Sequence, residues 1–404
     1  METPNILIFT YTFPYGDSEQ FMETEIAQLA RHSDFISLLP SKIIGKARPI
    51  PKNVKINHSF AEFFKKNKVA IIAYILLHPQ IITKCIVVHK SLFFKVKSLK
   101  RMIQFLYKAY IAKDWIDCQQ IENSVLYTYW FDFATYGLSL GAKPNTNIKV
   151  KSRAHSYDLY EERHKPPFWP FRKKAIQSVD ELFLISKDGV DYLNTKYAFG
   201  SSKYKLSRLG VSDPGFTTKS SSDNLFRIIS CSFMEPVKRL DLLLKAIIVF
   251  SKSNPSQIVE WYHIGDGSMH NMLKNMIRGE TVNNLTCHFK GLLMNKEVIS
   301  FYKNQMLDVF VNVSEYEGIP VSIMEAQSCG IPVIATAVGG VPEIVSNENG
   351  ILLSKNPSIQ EINLALSNCL FKSFQIKKEK SKSCWKKNYN AEINYCSFYE
   401  LLVS

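Results

Sequence analysis

A chain of 404 residues with 46% apolar and 21% charged side chains is long enough for two α/β cores and too apolar for a disordered polymer. Eight scattered cysteines without a Cys-x-x-Cys pair argue against zinc, and Met1-Glu2-Thr3-Pro4 with the short apolar run Ile6–Phe9 lacks the form of a signal peptide, so both point to reduced thiols in the cytoplasm. The net charge of +14 arises between Ser41 and Lys113, where sixteen Lys/Arg stand against one acid, Glu62; such a patch suits nucleic acid, an anionic membrane or a phosphorylated substrate.

In chain order, Asn5–Thr10 has the continuous apolar run of a buried strand. The turn-rich Phe13-Pro-Tyr-Gly16-Asp-Ser-Glu19 follows, and a helical pattern covers Glu19–Arg31. Strand, loop and helix in this order open a doubly wound α/β unit. Further strands are expected at Phe35–Leu39, Val125–Trp130, Ile148–Ala154 and Glu181–Ile185. Among them the basic segment, 41–113, interleaves cations with large apolar residues, from Val69 to Leu77 and again through Ser91-Leu-Phe-Phe-Lys95 to Leu106. His78, Gln80, Lys84 and His89 keep every apolar run below about 18 residues, which argues against a membrane-spanning helix. Helices of this kind either pack their apolar face on their own domain or lie among anionic headgroups, where each basic residue contributes roughly 1 kcal/mol. No nucleic-acid module accompanies the charge and Lys outnumbers Arg, so nucleic acid is not the expected partner.

The N-terminal domain is expected to span 1–211. A Ser/Thr/Lys/Asp-rich stretch, 212–224, reads as a linker. From 225 to 370 a second series alternates strands (Phe226–Cys231, Val259–Ile264, Leu285–Phe289, Asp308–Val313, Pro332–Ala335) with helices (Leu240–Ser251, Ser268–Ile277, Glu297–Lys303, Pro320–Cys329, Val341–Ser346). This alternation predicts a parallel sheet whose ligands bind beyond the carboxyl ends of its strands. The tail, 371–404, is Lys-rich and then aromatic (Trp385, Tyr389, Tyr395, Phe398, Tyr399). It reads as helical, packing across the domain boundary.

The strand at Asp308–Val313 runs into Ser314-Glu-Tyr-Glu317-Gly-Ile-Pro320-Val-Ser-Ile-Met-Glu325. Pro320 suits a helix's first turn and Gly330 its C-terminal cap. Gly318, Ile319, Pro320 and Val321 then form a helix N-terminus whose backbone donors face sugar hydroxyls or phosphate oxygens. Glu317 can accept hydrogen bonds from vicinal sugar hydroxyls and Glu325 from a ribose. Gly265-Asp266-Gly267 follows a strand and opens a helix, as a nucleotide loop does; plain turn glycines are the alternative. The third glycine of a dinucleotide fingerprint is missing, at His270, and no acid ends the strand Leu285–Phe289. Both absences argue against a nicotinamide cofactor.

The two glutamates separated by seven residues, with Gly330-Ile-Pro-Val-Ile-Ala-Thr-Ala-Val-Gly-Gly-Val-Pro-Glu-Ile-Val345 after them, closely resemble the signature of glycosyltransferase family 4, retaining enzymes of the GT-B fold. The resemblance covers residues 226–354 well and the N-terminal half more loosely. It implies an α/β protein of two Rossmann-like doubly wound domains facing a central cleft. By position, Glu317 would contact the donor sugar and Glu325 the nucleotide ribose. In Ser230-Cys-Ser-Phe-Met-Glu-Pro-Val-Lys238-Arg239, Lys238 takes the place of a diphosphate-binding lysine. Phe233 stands where the family has arginine, and Arg239 either substitutes for that lost cation or is solvated. A leaving diphosphate calls for such cations. Gly265, Asp266 and Gly267 would lie near the nucleotide, and the backbone up to Leu292 near the base. His155, in Ser152-Arg-Ala-His155-Ser-Tyr-Asp158, takes the place of a histidine that approaches the transferred sugar. Asp158 either joins it or caps a turn. Gly16 could approach the diphosphate closely, and Glu19 either contacts the acceptor or starts the helix.

No His/Asp/Glu cluster has metal-ligand spacing, so neither metal nor cofactor is expected. The expected reaction moves a sugar, with retention, from a UDP- or GDP-sugar to a hydroxyl of a lipid-linked glycan acceptor in bacterial capsule, lipopolysaccharide or exopolysaccharide synthesis. The protein would sit peripherally on the cytoplasmic face of the inner membrane, against its anionic surface. A soluble sucrose- or glycogen-synthase-like transferase is the alternative. So is a catalytically degenerate GT-B subunit that binds glycan or membrane, to which Phe233 lends weight.

Overall fold

The computed structural model describes residues 4–16, 19–65, 68–88, 96–142, 147–200, 202–280 and 282–404. Asp17, Ser18, His89 and the stretch Ser91-Leu-Phe-Phe-Lys95 lie outside the described residues. Two compact units emerge, residues 1–207 with 395–404, and residues 208–394.

The first unit is built on strands β1 (Asn5–Thr10), β2 (Ile36–Pro40), β3 (Val54–Ile56), β4 (Ser124–Thr128), β5 (Ile148–Ala154), β6 (Glu181–Leu184) and β7 (Tyr204–Leu206). They form a parallel sheet in the order β3-β2-β1-β4-β5-β6-β7. The second unit holds β8 (Leu225–Cys231), β9 (Ile258–Ile264), β10 (Leu285–Phe289), β11 (Val309–Asn312), β12 (Val333–Thr336) and β13 (Gly350–Leu353). Its sheet, also parallel, runs β10-β9-β8-β11-β12-β13. Helices cover such sheets on both faces, so the strands read as continuous apolar runs; every residue of β4, β11 and β12 is buried. In each sheet the strand order reverses between the first strand and the fourth, β1/β4 and β8/β11. Ligands of doubly wound folds bind at this switch point.

The strands absent from the sequence reading are β3, β7 and β13, all at sheet edges. Val-Lys-Ile and Tyr-Lys-Leu are too short and too polar to register, as edge strands commonly are.

Residues 212–224 are a correction to the expected linker. Thr218 donates its N–H to Cys329 O (2.8 Å) and its hydroxyl to Tyr302 O (2.9 Å). Ser221 gives both N–H and hydroxyl to Asp308, at 2.9 and 2.7 Å. A hydroxyl-rich stretch that satisfies carbonyls along a packed face has the same composition as one that satisfies water.

The tail contributes to both units. On the helix Lys377–Asn388, Ser381 bonds Ile331 O (2.8 Å) and the Trp385 indole donates to Val211 O (3.2 Å), both within the second unit. Residues 395–404 belong to the first, where Phe398 lies 3.9 Å from the Arg153 guanidinium and edge-on to Tyr127 and Phe183. Arg153 in turn pairs with Glu25, both side chains fully buried, and the Tyr127 hydroxyl donates to Glu25 at 2.9 Å.

The basic segment folds into helices Ser59–Phe63, Lys68–Leu77, Gln80–Val88 and Val96–Asp117. The longest is anchored by buried Met102, Leu106, Ile111 and Trp115. Among the described residues, no helix is long and apolar enough to cross a membrane.

Candidate functional site

The carboxyl ends of β8 and β11 lie side by side because these strands pair, Val309 with Ile228 and Phe310 with Ile229. The loops leaving them therefore meet. After β8 a 3-10 turn, Pro236–Lys238, aims Lys238 Nζ at Glu317 Oε1, 2.5 Å away in the loop after β11. Asn312 Nδ2 stands 3.4 Å from the same oxygen, and Glu315 N–H is bonded to Val237 O (2.8 Å). Burial would raise the Glu317 carboxyl, but Lys238 together with hydrogen bonds from Ser314 and Asn312 more than offsets it and holds the group below its usual range. Glu317 is therefore a carboxylate near neutral pH. Cys231, Ser232, Lys238, Asn312 and Ser314 line a small concavity beside this pair.

The loop carrying Glu317 is braced from behind by the two glycines of the Val-Gly-Gly-Val run. Gly340 N–H donates to Gly318 O (2.9 Å). A Cβ on Gly339, whose φ is +50°, would stand 2.0 Å from Glu317 O, so no other residue fits this contact. The helix Val321–Ser328 begins just beyond. Among the described residues, the amides of Gly318, Ile319, Val321 and Ser322 have no hydrogen-bond acceptor. Pro320 has no N–H, a correction to its grouping with the donors; it fixes the first turn instead. Gly318 and Ile319 are buried, and Val321 is partly exposed.

Glu325, on the same helix, is buried and accepts a 2.5 Å bond from Asn295. Burial pushes its carboxyl up to about 7. Burial also raises the Cys231 thiol to about 12, with Glu325 adding to the rise and Lys238 opposing it.

A second loop, after β9, is zipped to the first. Ser232 N–H bonds Ile264 O (3.0 Å), Met234 N–H bonds Asp266 O (2.9 Å) and Met269 N–H bonds Met234 O (2.9 Å). Gly265 and Gly267 have φ of +134° and +158°, and a Cβ on Gly265 would lie 1.9 Å from Ser232 O. These glycines are what lets the two loops touch. Gly265 N–H also bonds Gly291 O (2.8 Å), bringing in the loop after β10, where Leu292 is exposed. Asp266 bonds Gly267 N–H (2.8 Å) and His270 (2.9 Å), which hold its carboxyl below the usual range.

Arg239 departs from the expected substitute cation. Its guanidinium donates to Val313 O (2.6 Å), Ser314 O (2.8 Å), Lys355 O (3.1 Å) and Asn356 Oδ1 (3.3 Å). It latches the ends of β11 and β13, and four of its five N–H groups are committed to that task. Phe233 is exposed and carries no charge in its stead. Asn295, Asn312 and Gly339 joined the site only through the fold. The last had a sequence signal in the Gly-Gly pair; the asparagines had none.

In the first unit His155 follows β5 directly and is 7% exposed, yet neither ring nitrogen makes a hydrogen bond among the described residues. Its ring stacks on Tyr129 at 4.5 Å and tilts against Trp130 at 4.7 Å. Burial, aided by Arg153, lowers its pKa well below the usual value, so the imidazole is neutral. Asp158 takes the structural alternative, accepting N–H bonds from His155 (2.5 Å) and Phe131 (2.6 Å). Glu19 is likewise turned inward. Its carboxylate accepts from the amides of Tyr11, Thr12 and Phe13 and from the Trp130 indole at 2.6 Å. It shapes the loop after β1 and has no oxygen left over for an acceptor sugar. Gly16, at φ +64°, accepts from Arg48 through its carbonyl.

Two parallel Rossmann-like units, the second with its loops gathered at the β8/β11 switch point, define the GT-B fold of glycosyltransferases. Residues 217–389, in the second unit, match the family model Glycosyl transferases group 1. The whole chain superimposes on Anabaena HepE, solved with UDP and glucose, with a TM-score of 0.63 and 15% identity over 99% of this chain and 100% of that one. For sucrose-phosphate synthase from Thermosynechococcus elongatus the TM-score is 0.69, with 14% identity over 98% of each chain. In sequence, 94 residues are 36% identical to an Escherichia coli UDP-Gal:alpha-D-GlcNAc-diphosphoundecaprenol alpha-1,3-galactosyltransferase, 23% of each chain. Curated relatives are matched over only 15 to 51% of their length.

Proposed function

We propose that the protein is a retaining glycosyltransferase of the family 4 type. It moves a sugar from a UDP- or GDP-sugar to a hydroxyl of a lipid-linked glycan in capsule, lipopolysaccharide or exopolysaccharide synthesis. The observation that carries this reading is the Lys238–Glu317 pair at the β8/β11 switch point, beside the unpaired amides of Gly318, Ile319, Val321 and Ser322. Lys238 is neutralised by Glu317. A diphosphate would draw Lys238 to its own oxygens and leave Glu317 to accept from the hydroxyls of the attached sugar. Glu325, with Asn295 beside it, suits the ribose hydroxyls; Gly265–Gly267 and Leu292 suit the rest of the nucleotide.

As the bond from the anomeric carbon to the diphosphate oxygen breaks, negative charge grows on the diphosphate, where Lys238 and the helix amides stabilise it. The acceptor oxygen bonds the same face of that carbon and passes its proton to the departing phosphate. No metal or cofactor enters this scheme. His155, neutral and with unsatisfied ring nitrogens, suits hydrogen bonding to the transferred sugar, and Gly16 suits backbone approach to the diphosphate. The lipid-linked acceptor is supported by the relative that acts on a diphosphoundecaprenol glycan, and the seat on the cytoplasmic face of the inner membrane by the basic charge of residues 41–113.

A thermal-shift panel of UDP-, GDP- and ADP-sugars tests the reading. One of them should raise Tm, and turnover of that donor should vanish in Glu317→Ala while Leu364→Glu, an exposed side chain outside the site, keeps it. No stabilisation by any nucleotide sugar would refute the assignment.

A further inference from the structure

The helix Lys68–Leu77 in the first unit turns apolar side chains both inward and outward. Inward, buried Tyr74 donates to Asp114 and meets the Tyr107 ring edge-on at 5.6 Å, while Ile71 and Ile75 pack against the core. Outward, Val69, Ile72, Ala73, Leu76 and Leu77 are exposed, and Val69, Leu76 and Leu77 keep 74, 72 and 78% of their surface. Their spacing of i, i+3, i+4, i+7 and i+8 draws one continuous stripe along the helix. A helix apolar on every side belongs in a protein core or against lipid, and this one has only half of that surrounding. Val87 and Val96, in the two helices that follow, are 79 and 80% exposed.

The charge of the segment that carries the stripe names its occupant. The segment 41–113 carries an excess of fifteen positive charges. Exposed Lys65 precedes the helix and exposed Lys97 and Lys100 open the long one, and none of the three pairs with an acid among the described residues. A second copy of the chain would bring the same excess against itself, which opposes self-association. An apolar stripe offers nothing to a nucleic-acid backbone.

The geometry points to an anionic bilayer surface as the occupant. Val69, Ile72, Leu76 and Leu77 insert below the phosphates and the surrounding lysines lie among them, with the helix in the membrane plane. This rests on the membrane part of the reading above and is independent of the donor chemistry. It identifies the face that the enzyme presents to the leaflet.

Flotation tests it with vesicles of phosphatidylcholine, alone or mixed with phosphatidylglycerol. The wild type should float with the mixed vesicles only. Ile72→Glu/Leu76→Glu should lower partitioning at least ~10-fold, whereas Leu364→Glu, an exposed leucine of the second unit, should float as wild type does. Both variants should retain nucleotide-sugar binding. Leu76→Trp, which keeps the stripe apolar, should shift its emission to the blue and be quenched by brominated lipid. Undiminished flotation of the double variant, an unquenched Trp at position 76, or a stripe-dependent dimer in lipid-free buffer would overturn the inference. Flotation without any nucleotide-sugar binding would leave the bilayer face standing and remove the transferase reading alone.

Discussion

Gly339 touches no substrate in the account above, yet its replacement by alanine should silence the enzyme. The added methyl would stand 2.0 Å from Glu317 O and 3.1 Å from its carbon, on a backbone with φ +50°. Holding a non-glycine residue there costs about 1–2 kcal/mol. Restoring even a 3.0 Å separation drives the Glu317 peptide back by about 1 Å, a displacement that costs on the order of 100-fold in a positioned reaction. Lys238 Nζ and Glu317 Oε1 now lie 2.5 Å apart, so the pair would open. Gly339→Ala should therefore lose about 100-fold in sugar transfer while Tm falls by roughly 2–8 °C. Gly279→Ala is the matched control: its φ is −79° and its new methyl meets nothing nearer than 3.6 Å. Steady-state rates with the donor found by the thermal-shift panel, and melting curves of both variants, give the comparison. Full activity in Gly339→Ala would refute the claim that this glycine holds Glu317 in place.

Three other substitutions separate the roles of neighbouring residues. Burial raises the Glu325 carboxyl from 4.5 to about 7, so its contribution to stability is greatest below pH 4.5 and is lost as pH rises through 7. Glu325→Gln should accordingly be more stable than wild type at pH 8, by on the order of 2 kcal/mol, and no more stable at pH 4.5, as measured by urea unfolding; its nucleotide affinity should fall. The lowered pKa of His155 works in the opposite sense, with stability falling as pH drops below 6.5. His155→Phe should flatten that acid limb in urea titrations and abolish transfer while leaving nucleotide binding to the second unit unchanged. Arg239→Met breaks a latch with four acceptors. It should cost about 2 kcal/mol or more in urea unfolding and leave the salt dependence of nucleotide binding as in wild type. A flattened salt dependence would return Arg239 to the phosphate-binding role.

Much of this architecture was legible because parallel strands covered on both faces must be apolar throughout. Asn5–Thr10, Ile148–Ala154 and Leu285–Phe289 have the bounds the sequence suggests. Lys238 and Glu317 were both singled out as residues that follow strands; that those two strands are neighbours, so that the side chains pair, came from the fold. What composition could not disclose was where long side chains end. Glu19 and Asp158 are polar residues near a loop in the sequence; in the fold Glu19 turns back on amides of its own loop and Asp158 ties its loop to Phe131 after β4. Arg239 lies next to a phosphate-type lysine, but its backbone enters the left-handed region at φ +50° and sends the guanidinium to carbonyls behind the strand ends. Thr218 and Ser221 bond Tyr302, Cys329 and Asp308 of the same unit, far along the chain, which no local pattern reveals. Asn295 and Asn312 lie 30 and 5 positions before the glutamates they bond; a single asparagine in a loop or at a strand end carries no pattern that marks it.

In the proposed reaction Lys238 and the amides of Gly318, Ile319, Val321 and Ser322 hold a diphosphate. Calorimetric titration with the diphosphate and the monophosphate of the same nucleoside measures this directly. In the wild type the second phosphate should add at least ~10-fold in affinity, and Lys238→Met should erase most of that difference while binding the monophosphate nearly as before. Equal affinity for the two nucleotides in the wild type, or an undiminished preference for the diphosphate in Lys238→Met, would contradict it.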